Sequence, residues 1–288
     1  LQAEHEETMK NIALYKDILD NYDSMAAVII KDMDAIKKEY GRKRRTAIEN
    51  AEEAVYEEKK MEEMEVCFLM DRFGYMKLID KNAYERNKEA VHNENKYVFN
   101  CMNTDKICIF TDTGKMHTIK AVDIPLGRFR DKGTPVDNLS NYDSSQERML
   151  YVAPVGQLRS DRLLFVTKTS MCKLVEGAEF DVAKRTIAST KLADEDELIF
   201  IGSASEMEQI VLQSHGGCFL RFLAQEVSTM KKTALGVRGM KLADDDYLEH
   251  AYLLAGHQEY TISYHDKEYA LNKVRLAKRD TKGIKPRI

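Results

Sequence analysis

The apolar positions of this chain change their period once, near residue 65, and the change divides it into a helical part and a β part. In the first part Ile12, Tyr15, Ile18 and Leu19 recur at the three- and four-residue spacing of an amphipathic helix. Asp20-Asn21-Tyr22-Asp23-Ser24 then supplies turn and N-cap chemistry. A second helix carries Ala26, Ile29, Ile30, Met33, Ile36 and Tyr40 on one face and stops at Gly41. Residues 46–65, rich in Ala and Glu, read as a third helical piece or as an extended acidic linker. From Val66 onward, short apolar runs separated by polar turns replace the helical period, which predicts strands. The expected boundaries are therefore 1–65 for the helical segment and 66–288 for the β domain.

The β part repeats itself. Met70-Asp71-Arg72-Phe73-Gly74-Tyr75-Met76-Lys77-Leu78 and Phe110-Thr111-Asp112-Thr113-Gly114-Lys115-Met116-His117-Thr118 share one pattern. The same course returns at Val166–Leu174 and Leu212–Leu220, and more weakly at Ser263–Leu271. Each copy is an apolar strand, a short polar turn that usually holds Gly, and a second strand, the signature of a β-hairpin. The turn positions 74, 114, 170, 216 and 267 fall about fifty residues apart, the size of a four-stranded propeller-type blade. A basic loop entering a strand follows four of the hairpins, at Arg128–Val136, Ala183–Ser189, Lys231–Met240 and Lys278–Ile284. Polar, often acidic turns such as Ala193–Asp196 and Ala243–Asp246 come next. The expectation is a mainly β fold, a pinwheel or propeller-like domain of about five blades behind a short helical segment. Phe68, Phe110, Phe165, Phe200 and Phe219 lie within the apolar runs and read as blade core. Gly74, Gly114 and Gly216 read as hairpin turn residues.

Composition narrows the function classes. The chain has 288 residues, 43% hydrophobic and 32% charged, so a folded core is expected throughout. No apolar stretch is long enough to span a bilayer, and the acidic start lacks the order of a signal peptide. The first residue is Leu, which suggests an excised fragment. Cys67, Cys101, Cys108, Cys172 and Cys218 form no CxxC pair, and all except Cys101 sit in strand-like runs, so reduced thiols in a cytoplasmic protein are expected. The seven histidines show no ligand spacing, and neither a Gly-rich phosphate loop nor a Ser-His-Asp order is present. Net charge is −4, with 44 Lys+Arg against 48 Asp+Glu, which by itself disfavours nucleic acid as a partner. Charge is unevenly spread, however. Seven glutamates fall within residues 51–65, whereas the last fourteen residues hold six cations against Asp280 alone.

The hairpins, the loop Arg130-Asp131-Lys132-Gly133-Thr134-Pro135 with Asn138-Leu139, and the loop Ala234-Leu235-Gly236-Val237-Arg238-Gly239-Met240-Lys241-Leu242 together resemble a known family. It is the C-terminal β-pinwheel of the A subunits of bacterial type IIA DNA topoisomerases, gyrase and topoisomerase IV. The helical start, with Ile18-Leu19-Asp20, Ile29–Ile36 and Tyr40–Ile48, resembles the helices that join the cleavage core to that pinwheel. The resemblance implies a non-catalytic part of an ATP-dependent type II topoisomerase that binds and wraps double-stranded DNA and steers a segment to the cleavage gate. As partners it implies the ATPase subunit, together with the cleavage core to which this part is joined. It further implies a bacterial cytoplasmic, nucleoid-associated location, and no cofactor or membrane contact for this part. Two departures stand out. The family's gyrase members carry a Gln-Arg-Arg-Gly-Gly-Lys-Gly box in the first blade, and the matching stretch, Tyr84–Val91, lacks its glycines and most of its charge. This points toward a topoisomerase IV-like or divergent member with weaker or differently shaped wrapping. No tyrosine here matches the catalytic tyrosine motif.

Wrapping a duplex calls for cations spaced to meet phosphates, and repeated blades present the same loop again and again. The candidate belt is Arg128, Arg130 and Lys132, then Lys184 and Arg185, then Lys231, Lys232 and Arg238, then Lys278, Arg279 and Lys282. Phosphate contacts carry no sequence information, so binding would be sequence-independent. Each cation also has a plainer reading as a solvated surface residue. The Arg42-Lys43-Arg44-Arg45 cluster reads equally well as complementing a helix end. The acidic turns read as ordinary turns between strands rather than metal sites. The competing function is a propeller-like protein-interaction scaffold whose basic loops are incidental; an exposed apolar patch with scattered charge would favour it.

Overall fold

The structure, a computed structural model, describes residues 1–46, 62–256 and 258–286. The chain separates into two compact units, Leu1–Lys60 and Met61–Ile288. Most of the stretch expected as a third helix or acidic linker lies outside the described residues. No described helix is long and apolar enough to cross a membrane.

The first unit holds helices α1 (Gln2–Asp20) and α2 (Tyr22–Tyr40). The five-residue break expected between them narrows to Asn21, whose side chain accepts from the Asp23 amide at 3.1 Å and so caps α2. Gly41 ends α2 as expected. The helices touch each other, yet neither buries a residue. Ile12, Tyr15, Leu19, Ile29, Ile30, Met33 and Tyr40 all remain exposed. An amphipathic stripe without a partner is an unfinished core.

The second unit is a row of blades. Along the chain, β1 (Glu65–Asp71) and β2 (Tyr75–Asp80) form the first hairpin. Helices α3 (Lys81–Arg86) and α4 (Lys88–Glu94) follow, and β3 (Asn95–Met102) returns to pair with β1. The second hairpin is β4 (Lys106–Thr111) with β5 (Lys115–Lys120). The next strand, β6 (Thr134–Pro135), does not join that sheet; it goes back to pair with β2 of the first. β7 (Met149–Pro154) then pairs with β4. The scheme repeats. β8 (Arg162–Thr167) and β9 (Met171–Glu176) form the third hairpin, after which β10 (Thr186–Ala188) returns to β5 and β11 (Leu198–Ser203) pairs with β8. β12 (Gln209–Ser214) and β13 (Phe219–Leu223) form the fourth, β14 (Val237–Arg238) returns to β9, and β15 (Leu248–Leu254) pairs with β12. The fifth hairpin, β16 (Thr261–Tyr264) with β17 (Lys267–Ala270), stands as a two-stranded sheet, and the segment after it reaches back so that Ile284 bridges Phe219.

The pinwheel of about five blades is thus present, with one correction to the expected blade. The strand after each basic loop is donated to the preceding sheet instead of completing its own. Each of the first three sheets has the order third strand, first, second, donated strand. Third strands of neighbouring blades meet, β3 with β7, β7 with β11 and β11 with β15. The donated strands therefore lie at the opposite, outer edge.

Period-two alternation explains why the strands are apolar almost throughout. In β4, Ile107 and Ile109 pack toward the first blade, whereas Cys108 and Phe110 pack toward the third. A strand buried on both faces reads as a continuous apolar run. Cores thus form between blades. Phe68 stacks on Phe99 in the first, Phe110 meets Phe180 edge-on in the next, and Phe222 and Phe219 fill the following two. Phe200 is the exception among the expected core phenylalanines, only half-buried against the third-to-fourth blade core. The first blade has no earlier blade to cover it. Its outer residues Cys67, Leu69 and Ile79 are closed off by Val91 of α4 with Ala83 and Tyr84. The α3–α4 insert is a terminal cap, the device that repeat folds need where stacking stops. It occupies the stretch that aligns with the glycine-rich box.

The turns follow their residues. Gly74 and Gly114 take positive φ as expected; in the fourth hairpin that role falls to Gly217 rather than Gly216. Ser170 takes it at φ 72°, and its hydroxyl accepts from the Met240 amide at 2.7 Å, tying the turn to the donated segment. The acidic turns clamp hairpin tips, as when Asp196 accepts from the Thr169 amide and hydroxyl, and Asp246 from the Gly216 amide. Cys67, Cys101, Cys108 and Cys172 are buried and unbridged, Cys101 within β3 after all, and burial pushes the Cys172 thiol up to about 12.

Gly133, just ahead of β6, has φ +81°, and a β-carbon there would sit 2.6 Å from the Met76 carbonyl oxygen. Gly133→Ala should therefore lower unfolding stability by about 1–3 kcal/mol in a urea titration, the cost of a left-handed non-glycine residue. An unchanged midpoint would show that the donated strand can shift without loss.

Candidate nucleic-acid interface

Each basic loop runs from a 3-10 turn after one hairpin to the strand donated to the previous blade. All four loops therefore lie at the outer edge of the sheets, one per junction. Nine of the eleven candidate cations are exposed; Lys232 and Arg279 are half-buried. The structure sorts them by what already holds them.

In the first loop, Arg128, Arg130 and Lys132 are exposed and make no ion pair among the described residues. The Arg128 amide donates to the Asp131 carboxylate at 2.7 Å, which tightens the loop, and the Lys132 ammonium lies 4.6 Å above the Tyr75 ring. Phe129 anchors the loop by packing into the capped face of the first blade. In the second loop Lys184 and Arg185 point to solvent, while the Arg185 carbonyl accepts from the Thr118 amide at 2.8 Å. The third and fourth loops share a device. The half-buried Lys232 ammonium donates to the Glu179 carbonyl at 3.0 Å, and its amide donates to the Glu179 carboxylate at 3.1 Å. Arg279 does the same with Glu226, at 3.0 Å and 2.9 Å. Glu179 and Glu226 sit in corresponding 3-10 turns, Gly177–Phe180 and Ala224–Glu226.

These two cations hold loops together, and their charges are already engaged. Arg238 is likewise paired, with both Asp280 oxygens, which raises the guanidinium's pKa and holds the Asp280 carboxyl below its ordinary range. Its exposure limits what that pair contributes to stability. Lys231 lies 3.5 Å from Glu179 but is 81% exposed. The uncommitted set is Arg128, Arg130, Lys132, Lys184, Arg185, Lys278 and Lys282.

Sequence reasoning passed over three groups beneath the loops. Lys77 and Lys173 reach the backbone carbonyls of the first and third. Under the second, His117 is buried, with its Nδ1 3.1 Å from the Thr186 hydroxyl and its Nε2 3.1 Å from Glu147. Glu147 is only 3% exposed and also takes Lys115 at 3.2 Å and the Thr113 hydroxyl at 3.1 Å. Burial opposes its charge, but hydrogen bonds from the Thr111–Thr113 pair, His117 and Lys115 outweigh it and hold the carboxyl below its ordinary range. The signal for Lys77 and Lys173 was available, since each interrupts an apolar run at the same place in its repeat. Among the described residues, no cluster of three or more His, Cys, Asp or Glu is arranged to hold a metal ion.

Strand-swapped hairpin blades carrying a basic loop at each junction define this unit as a β-pinwheel with a repeated cationic outer edge. Residues 105–144, 161–205 and 208–255 match the family described as the DNA gyrase C-terminal domain, beta-propeller, and over these segments the chain is similar to that domain. These segments fall on the second, third and fourth blades. The DNA gyrase A subunit of Clostridium acetobutylicum is 29% identical over 250 residues, covering 83% of this chain and 30% of that protein. That of Ureaplasma parvum is 25% identical over 301 residues, covering 99% and 36%. The chain thus spans about a third of the length of these relatives. The fold is shared with the C-terminal domain of DNA topoisomerase IV, at a TM-score of 0.67 and 22% identity over 77% of this chain and 72% of that one. A DNA gyrase A C-terminal domain aligns at a TM-score of 0.52 and 18% identity, over 77% and 76%.

The Glu147 cluster makes a pH prediction. A carboxylate with a lower pKa folded than unfolded adds stability above its unfolded value, and loses it as pH falls through the folded one. Glu147→Gln should cost about 1–3 kcal/mol at neutral pH, as for a broken charged hydrogen bond. The gap to wild type should then shrink below the ordinary value of 4.5. A gap independent of pH from 7 to 3 would show that the Glu147 charge does not contribute.

Proposed function

We propose that this chain is a non-sequence-specific DNA-binding and wrapping module of an ATP-dependent type II DNA topoisomerase, one that steers a duplex segment toward the cleavage gate of the protein it belongs to. The observation that carries this reading is the row of uncommitted cations, Arg128, Arg130, Lys132, Lys184, Arg185, Lys278 and Lys282, on loops at equivalent outer positions of the first, second and fourth junctions. Such a row meets phosphates without reading bases, and counterion release supplies the affinity. Bending a duplex costs about 1–6 kcal/mol per 20–30 base pairs, an amount that half a dozen phosphate contacts can offset.

The net charge of −4 does not oppose this, because seven glutamates fall within residues 51–65 and further acids are engaged in holding turns and loops. Acids sit in the turns that clamp hairpin tips and in the 3-10 turns that hold the loops. The helical unit supports attachment to a larger protein, because its exposed apolar stripe needs a covering surface. We assign that cover to the cleavage core of the same polypeptide. The further partner is the ATPase subunit, in the bacterial cytoplasm. The α3–α4 cap, where a glycine-rich box is expected, supports a wrap weaker than or differently shaped from that of box-bearing gyrases.

The test is binding of the whole chain to a duplex of ~40 base pairs across a salt series. Wild type should weaken steeply with salt. Because the slope scales at ~0.9 per neutralised phosphate, Lys184→Glu/Arg185→Glu/Lys282→Glu should flatten it by about 2–3 while leaving thermal stability unchanged. Absence of binding at low salt would overturn the proposal and favour the protein-interaction scaffold.

A further inference from the structure

Lys77 and Lys173 stand at the same place in the first and third blades. Lys77 faces Leu69 and Lys173 faces Phe165 across their hairpins, one residue beyond the pairs that receive the donated strands, Met76 with Thr134 and Cys172 with Val237. Each sends its ammonium into the loop above. Lys77 Nζ donates to the Phe129 and Asp131 carbonyls. Lys173 Nζ donates to the Lys232 and Ala234 carbonyls, both at 2.7 Å. Each also lies over an aromatic ring, Phe129 at 5.4 Å for Lys77 and Phe165 at 5.7 Å for Lys173.

The two loops share almost no side-chain chemistry. Arg128-Phe129-Arg130-Asp131-Lys132-Gly133 matches Lys231-Lys232-Thr233-Ala234-Leu235-Gly236 only in its first cation and last glycine. Even so, the two accepted carbonyls are two residues apart in both, and both loops end in a glycine of positive φ pressed against strand backbone. Drawing the first and third carbonyls inward leaves the residue between them, Arg130 or Thr233, facing outward and exposed. Lys173 is 1% exposed and cannot reach a phosphate. Burial lowers its pKa to about 8, a cost the fold tolerates because the loop carbonyls solvate the ammonium. In the fourth blade, the Arg221 guanidinium donates to the Asn272 and Val274 carbonyls, so a guanidinium can also serve two carbonyls two residues apart. In the second blade His117 takes the place, and the Lys106 ammonium donates to the Val182 carbonyl at 3.1 Å, just ahead of Ala183.

We propose that Lys77 and Lys173 are positioning residues, ammonium latches that fix the first and third basic loops in their outward form. Lys77, beneath the loop that carries Arg128, Arg130 and Lys132, thereby governs duplex binding. The latch stands on geometry alone; its effect on duplex binding rests on the function proposed above.

Limited trypsin digestion of the folded chain, with cleavage sites mapped by mass, tests the latch. Lys77→Met should speed cleavage after Arg128, Arg130 and Lys132. Lys173→Met should speed it after Lys231. Each should act on its own loop by about tenfold, the factor expected for a lost charged hydrogen bond, and leave the other loop and Lys184–Arg185 unchanged. Lys173→Arg should restore protection, and it carries the test together with the half-buried Lys77 site if Lys173→Met fails to fold. Equal acceleration in both loops, or in neither, overturns the latch.

Duplex binding of the same variants is then measured at fixed salt. Lys77→Met should bind several-fold more weakly, and Lys173→Met, whose loop presents no uncommitted cation, as wild type. Unchanged affinity of Lys77→Met with an opened first loop overturns the governing role. A wild-type chain that binds no duplex, yet shows the loop-specific cleavage, refutes the DNA reading and leaves the latch standing. Binding by wild type without loop-specific cleavage does the reverse.

Discussion

Strand donation between neighbouring sheets is the constraint on which the rest of this structure depends. A hairpin with one added strand leaves an open outer edge, and open edges invite pairing with other chains. Here β6, β10 and β14 close the edge of the sheet before their own. Because each donated strand must cross from one blade to the next, its loop has to pass over the junction at the outer edge. That path puts the basic residues where they are. Cation spacing along the unit is thus inherited from blade spacing, and it needs no long-range design of its own.

The loops that make this crossing offset their exposure with a second layer of polar anchors. Backbone carbonyls turned inward meet Lys77 or Lys173, and backbone amides meet Glu179 or Glu226. Charges within one short loop consequently divide into those that hold it and those that face out. Arg279 and Lys278 are adjacent in sequence and fall on opposite sides of that division. The net charge says little about such a surface, since many acids are occupied in clamping turns and loops.

Much of the architecture was legible in the sequence because its signals are local. Gly74 and Gly114 announce left-handed turns, and the continuous apolar runs around Phe110 and Phe165 announce strands buried on both faces. The blade count followed from their spacing. Two features were hidden. Thr134–Pro135 and Val237–Arg238 are two-residue strands with no pattern to show which sheet receives them. The α3–α4 cap answers a need set by position, the uncovered face of Cys67, Leu69 and Ile79, and not by the propensity of residues 81–94. For the candidate interface, residue type and repetition found the exposed cations but could not separate Lys232, Arg279 and Arg238, whose partners lie some forty to fifty residues away in sequence. Lys77 and Lys173 had the clearest unused signal, a lysine recurring inside an apolar run.

The most direct measurement is a hydrogen-exchange footprint of the whole chain with and without a ~40-base-pair duplex at low salt. Added protection is expected at residues 128–134, 183–188 and 278–284, with none at the acidic turns 193–197 and 243–247. Protection centred on the third strands or the acidic turns, or no protection at any loop, would contradict the claim that the donated-strand loops form the DNA-binding edge.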